Sequence, residues 1–165
     1  MDLMVGGAGP ATQRNEDSME ITALPYVDER TELVAADADA VWRAVGDVLD
    51  GAFGSGYARL VGCPHRTASG PRPPAEGSVW PGFRVDSATP VRELVLTGRH
   101  HFSTYALVFR LDEAGAGRTR LRAETRARFP GPGGALYRLL VIRTGAHAVL
   151  TGRLLSSIGR RAEGL

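Results

Sequence analysis

The chain has 165 residues, 43% of them hydrophobic, which is the size of one domain with enough apolar content for one core. All 20 of its basic residues are arginine, which excludes lysine Schiff-base chemistry, and its single cysteine excludes an intramolecular disulfide or a multi-thiolate metal site. The formal charge of +2 is mild, no run of about 18 apolar residues occurs, and the N-terminus lacks a signal-peptide layout; a soluble, cytoplasmic protein without a membrane span is expected.

Residues 1–24 are rich in Gly, polar and small residues without periodicity and read as a flexible N-terminal tail, leaving 25–163 as a single domain. In "YVDERTELVAADADAVWRAVGDVL", Val27, Glu29, Thr31, Leu33 and Ala35 alternate with Asp28, Arg30, Glu32 and Val34, which predicts a strand. Asp37 or Asp39 then caps a helix with Val41, Trp42, Val45, Val48 and Leu49 on its apolar side. A short helical or irregular piece, "GAFGSGYARLVG", comes next. "CPHRTASGPRPPAEGSVWPG" has the Pro and Gly content of a loop or a distorted edge strand.

Several strands follow in a row. "GFRVDSAT" puts Phe83 and Val85 on one side, "VRELVLTGRHHF" runs through Leu94 and Leu96, and "STYALVFRLDE" presents Tyr105, Leu107, Phe109 and Leu111 together. The turn "EAGAG" joins this last strand to "RLRAETRARF" as a hairpin. There Leu121, Ala123, Thr125, Ala127 and Phe129 form a covered face, and Arg120, Arg122, Glu124, Arg126 and Arg128 a wet one. Interrupted by Glu124 and alternating, these arginines read as a solvated face, so no nucleic-acid partner is expected. The covered face is small in its middle, which either lets a helix come close or leaves room for a guest.

After "FPGPGG" the period changes. From Gly133 to about Ala162, Leu136, Leu139, Leu140, Ala146, Val149, Leu150, Leu154, Leu155 and Ile158 recur at three- and four-residue steps, predicting one amphipathic helix about 40 Å long. Gly145 and Gly152 interrupt it, which points to close approach or a bend.

Strand, short helices, a meander of strands and one long C-terminal helix, with "ERTELVAADADAVWRAVGD" in front and "ALYRLLVIRTGAHAVLTGRLLSSIGRRAE" behind, resemble the START-like (SRPBCC) superfamily. The resemblance covers about Val27 to Glu163. It implies an α+β helix-grip fold: a curved antiparallel sheet wrapped around a long C-terminal helix, with two short helices after the first strand. It also implies a mostly apolar cavity between helix and sheet, in which case Ala123, Thr125 and Ala127 are small because a ligand occupies the space.

Such a cavity is expected to be apolar with a few polar anchors. Strand phase and helix face nominate Trp80, Phe83, His101, Tyr105, Leu107, Thr125, Arg143 and His147, beside Ala123 and Ala127. His147 shares a helix face with Arg143 and Thr151, where it either works as an acid or base or sits partly exposed at the edge of the leucine stripe. His65, His100, His101 and His147 lack ligand spacing, so no metal is expected, and no cofactor either. Cys63 and His65 in "CPH" lack a third orienting group, which favours an inert thiol. The expected partner is a small hydrophobic molecule, a lipid, polyketide or aromatic metabolite. The alternative is a polyketide aromatase/cyclase using cavity His and Tyr as acid-base groups.

Overall fold

The computed structural model describes residues 21 and 23–165, so most of the expected tail lies outside the described residues. Six strands form one open antiparallel sheet: β1 (Tyr26–Val34), β2 (Val79–Trp80), β3 (Phe83–Thr89), β4 (Glu93–His100), β5 (Ser103–Glu113) and β6 (Thr119–Arg128). Their order is β1-β6-β5-β4-β3-β2, which leaves β1 and the two-residue β2 at the edges. Register shifts between Tyr26 and Asp28 and between Val85 and Ser87 mark bulges, the irregularities that bend a sheet. Four helical elements follow β1 among the described residues: α1 (Ala38–Ala52), α2 (Ser55–Leu60), α3 (Gly131–Arg138) continued by a π-helical segment (Leu139–Arg143), and α4 (Ala146–Ala162).

α1 starts where its cap predicts: the Asp37 carboxylate accepts the Ala40 N–H at 2.8 Å. Its buried Val41, Trp42, Val45 and Leu49 join Leu155 and Ile158 of α4 against Leu94, Leu96, Phe109, Leu121 and Ala123 of the sheet. The core thus lies between the two helices and one sheet face. On the other face Arg110 is paired with Glu93 and Glu124, Arg122 with Asp112, and Arg126 with Glu124. Burial pushes the Glu124 carboxyl up, but the bonds and charges of Arg110 and Arg126 outweigh it and hold the group below its ordinary range. Much of the densest arginine cluster is therefore neutralised within the sheet itself.

One expectation changes, and β1 shows which of its two sides faces inward. The C-terminal helix is long but not continuous from Gly133, because Gly145 takes a left-handed conformation (φ 78°) and separates the π-helical segment from α4. In β1 the charged set, not the apolar-looking one, faces the helix. Val34 is buried in the core, Glu32 accepts a 2.9 Å hydrogen bond from the Ser156 hydroxyl of α4, and Leu33 points to solvent. A Cβ on Gly159 would lie 2.9 Å from a Glu32 carboxylate oxygen, so α4 approaches β1 most closely there. At Gly145 and Gly152 a Cβ would meet open space.

Candidate functional site

The covered face of β6 is buried throughout, but only part of it belongs to the main core. Leu121 and Ala123 pack in that core, whereas Thr125 and Ala127, also buried, lie beyond it. The alternation that places all four on one face is the period of a half-buried strand. Antiparallel pairing sets Phe109 beside Ala123, Leu107 beside Thr125 and Tyr105 beside Ala127. Ala123 is small because the core closes over it. Thr125 and Ala127 form the floor of the end beyond the core, with Leu107 at the border.

Aromatic rings wall that end. Phe53, following α1, lies 4.4 Å from Phe83, which meets Tyr105 edge-on at 5.2 Å; His100 follows at 5.4 Å and Tyr137 of α3 at 4.9 Å from His100. Phe102 stacks on Tyr137 at 5.8 Å. Tyr105 is fixed at both ends of its ring: its hydroxyl donates to the Gly82 carbonyl at 2.6 Å, and the ring crosses Gly98, where a Cβ would lie 2.6 Å from it.

The second component is polar. His147 Nε2 of α4 lies 3.0 Å from the Thr125 hydroxyl, 3.4 Å from that of Thr151 and 3.4 Å from Asp28 Oδ1 of β1. Asp28 Oδ1 is buried and accepts no hydrogen bond, and Asp28 stands opposite Thr125 in register. Three oxygens thus surround Nε2, and the threonine hydroxyls can donate to it or accept from it. Thr125 and Ala127 are two residues apart on β6, so the polar cluster and the aromatic row are separated by only about 7 Å along the strand.

The nominated residues fall into three groups. Phe83, Tyr105, Thr125, Ala127 and His147 gather around this end, while Leu107, Ala123 and Trp80 belong to the core cluster, Leu107 at its border. Trp80 Nε1 donates to Asp50 at 2.7 Å, and the Arg72 guanidinium lies 4.5 Å over its ring. His101 and Arg143 are exposed and stand apart; His101 packs on Gly62 beyond the end of β4.

Asp28 and His100 escaped the sequence reading. For His100 a signal existed, since the inward phase of Leu94 and Leu96 carried two and four residues further reaches Gly98 and His100. Cys63 is buried and lies 3.8 Å from the Tyr105 hydroxyl. Burial pushes its thiol up against the weaker pull of Tyr105 and Arg66, which makes it a poor nucleophile. Among the described residues no three His, Cys, Asp or Glu side chains converge as a metal site.

Burial, with the nearby charge of His101 second, holds His100 below the ordinary imidazole range. A base depressed in the folded state contributes stability that is present above its unfolded pKa, near 6.5, and is lost as pH falls through the folded value. Wild-type Tm is accordingly expected to drop more steeply than that of His100→Phe as pH is lowered from about 7 to 5. Parallel Tm curves would contradict the placement of His100 in the aromatic row.

An open antiparallel sheet gripping a C-terminal helix, with α1 and α2 after the first strand, is a helix-grip α+β fold. Solved structures share it at low identity. A conserved protein from Geobacillus kaustophilus is 15% identical over 82% of this chain and 94% of its own, with a TM-score of 0.54. Truncated norcoclaurine synthase from Thalictrum flavum is 14% identical over 83% of this chain and 94% of its own, with a TM-score of 0.52. The di-domain ARO/CYC BexL from the BE-7585A biosynthetic pathway is 16% identical over 82% of this chain and 46% of its own, with a TM-score of 0.50. No protein-family model and no curated protein matches the chain.

Proposed function

We propose that the chain binds a small, largely apolar, ring-bearing molecule at the end of the grip beyond the core cluster, between the aromatic row and His147. The observation that carries this reading is that the core cluster stops at Ala123 on β6, with rings on one side of Thr125 and Ala127 and the polar cluster on the other. Aromatic faces and edges supply apolar area and orientation, and Thr125 or His147 supplies one directional bond. Burial contributes about 25 cal/mol per Å² of apolar surface removed from water.

The fluorescent probe 1-anilinonaphthalene-8-sulfonate tests the site directly. It is expected to bind in a saturable way, and Ala127→Phe, which fills the floor, is expected to weaken binding by about tenfold or more while the protein stays folded by circular dichroism. Unchanged probe affinity in folded Ala127→Phe would sink the proposal. Mass spectrometry of an organic extract of the purified protein would then identify any retained molecule.

A second reading, an aromatase/cyclase-type enzyme, is favoured by the Asp28–His147 pair. Two titratable groups lie within reach of one another, with Asp28 positioned to orient the His147 ring. The likeness to an ARO/CYC protein supports it as an analogy of fold. Turnover lost in His147→Gln with probe binding retained would favour this reading over simple binding.

A further inference from the structure

The helical ribbon from α3 to α4 carries a second surface that faces away from the core. Leu140 and Leu150 are 59% and 62% exposed, and Leu136, Leu139 and Val149 are also largely uncovered. In the first half, Leu136, Leu139, Leu140 and Arg143 fall at helical steps of three and four. In α4, Val149, Leu150, Arg153 and Arg160 lie on the side opposite the buried Leu155 and Ile158. Large apolar side chains clustered in the open mark a place of contact.

The charge around these residues says with what. From Gly131 to Ala162 the ribbon contains five arginines, of which Arg161 pairs with Asp47, and no Asp or Glu, although the whole chain is only +2. Arg138, Arg143 and Arg153 are exposed and make no ion pair among the described residues, unlike the paired arginines of the sheet. A second copy laid on this surface about a twofold axis would set arginine against arginine. Leucines flanked by unneutralised arginines are instead the composition of a helix lying in the plane of an anionic lipid interface. No helix among the described residues is long and apolar enough to cross a membrane, so the contact is peripheral.

We propose that the α3–α4 ribbon docks on membranes bearing anionic headgroups, with the leucines entering the headgroup boundary and Arg138, Arg143 and Arg153 pairing with phosphates. The full chain is tested by co-sedimentation with vesicles of equal parts phosphatidylglycerol and phosphatidylcholine, against vesicles of phosphatidylcholine alone. Binding is expected to the mixed vesicles and to be weakened by salt. Arg143→Gln/Arg153→Gln is expected to lower the partition by roughly 25-fold, and Leu140→Ser/Leu150→Ser by about tenfold or more. All four side chains are exposed, so both variants should fold, which circular dichroism checks.

Binding to neither vesicle, equal binding to both, or full binding by folded Leu140→Ser/Leu150→Ser would overturn the proposal. A concentration-dependent dimer in gel filtration that this leucine variant dissolves would also overturn it, by assigning the surface to self-association. None of these outcomes depends on whether the probe site at Ala127 is occupied.

Discussion

Trp80→Ala is expected to lower the free energy of unfolding by about 3–5 kcal/mol, read from urea denaturation at neutral pH. The indole is fully buried in the main core although β2 is only two residues long. Truncation removes a large apolar area and leaves a cavity that the sheet edge and α1 close only in part. It also removes the hydrogen bond to Asp50, which ties β2 to the end of α1, and the stacking of Arg72, which ties the loop before β2 to the strand. Trp80→Phe separates these effects: it keeps most of the ring area and is expected to cost nearer the ~1 kcal/mol of a hydrogen bond plus a modest packing loss. Domains are stable by only about 5–15 kcal/mol, so Trp80→Ala would put much of the protein near its unfolding threshold. A loss below about 1 kcal/mol, with probe binding abolished, would move Trp80 from the core to the ligand site.

Gly98→Ala is the second large effect. The new Cβ would overlap the Gly82 carbonyl oxygen and lie 2.6–2.7 Å from two ring carbons of Tyr105, far inside van der Waals contact. Either the β2–β3 turn retreats, or Tyr105 swings out and gives up its bond to the same carbonyl. The expected cost is about 2 kcal/mol, or roughly 4–8 °C in Tm for a domain of this size. Probe affinity is expected to fall with it, because Tyr105 is central to the aromatic row. Tyr105→Ala removes one of the two obstructions, so the double variant should cost less than the sum of the single ones. Strict additivity would show that the ring does not lie across Gly98.

β6 was legible because it is half-buried, so a period of two in the sequence is, apart from the ion-paired Glu124, also a period of two in exposure; β5 was legible by its apolar side chains, although Ala106 to Phe109 are buried in a row. β1 defeated that logic. Its inward side carries Asp28 and Glu32, whose partners His147 and Ser156 lie over a hundred residues away and leave no trace in local periodicity. The C-terminal helix was legible in composition but not in continuity, since Gly145 is tolerated within an α-helix or ends one according to what surrounds it. Of the site, Tyr105, Thr125, Ala127 and His147 followed from strand phase and helix face. His100 was passed over for its neighbour because two adjacent histidines at a strand end look alike until the phase is counted from Leu94. The floor of small residues posed the right question, but its division between Ala123 and Ala127 depends on where the helices stop covering it, which is a property of the packed tertiary structure.

The charged inward side of β1 has a consequence beyond anchoring α4. β1 is an edge strand of nine residues, long enough to invite a strand from another molecule. With Asp28, Arg30 and Glu32 on one side and Glu29 on the other, an incoming strand would face fixed charge above and below its own backbone. The carboxylates that hold the helix from within therefore also act as gatekeepers against amyloid-like growth, and the ladder ends at six strands.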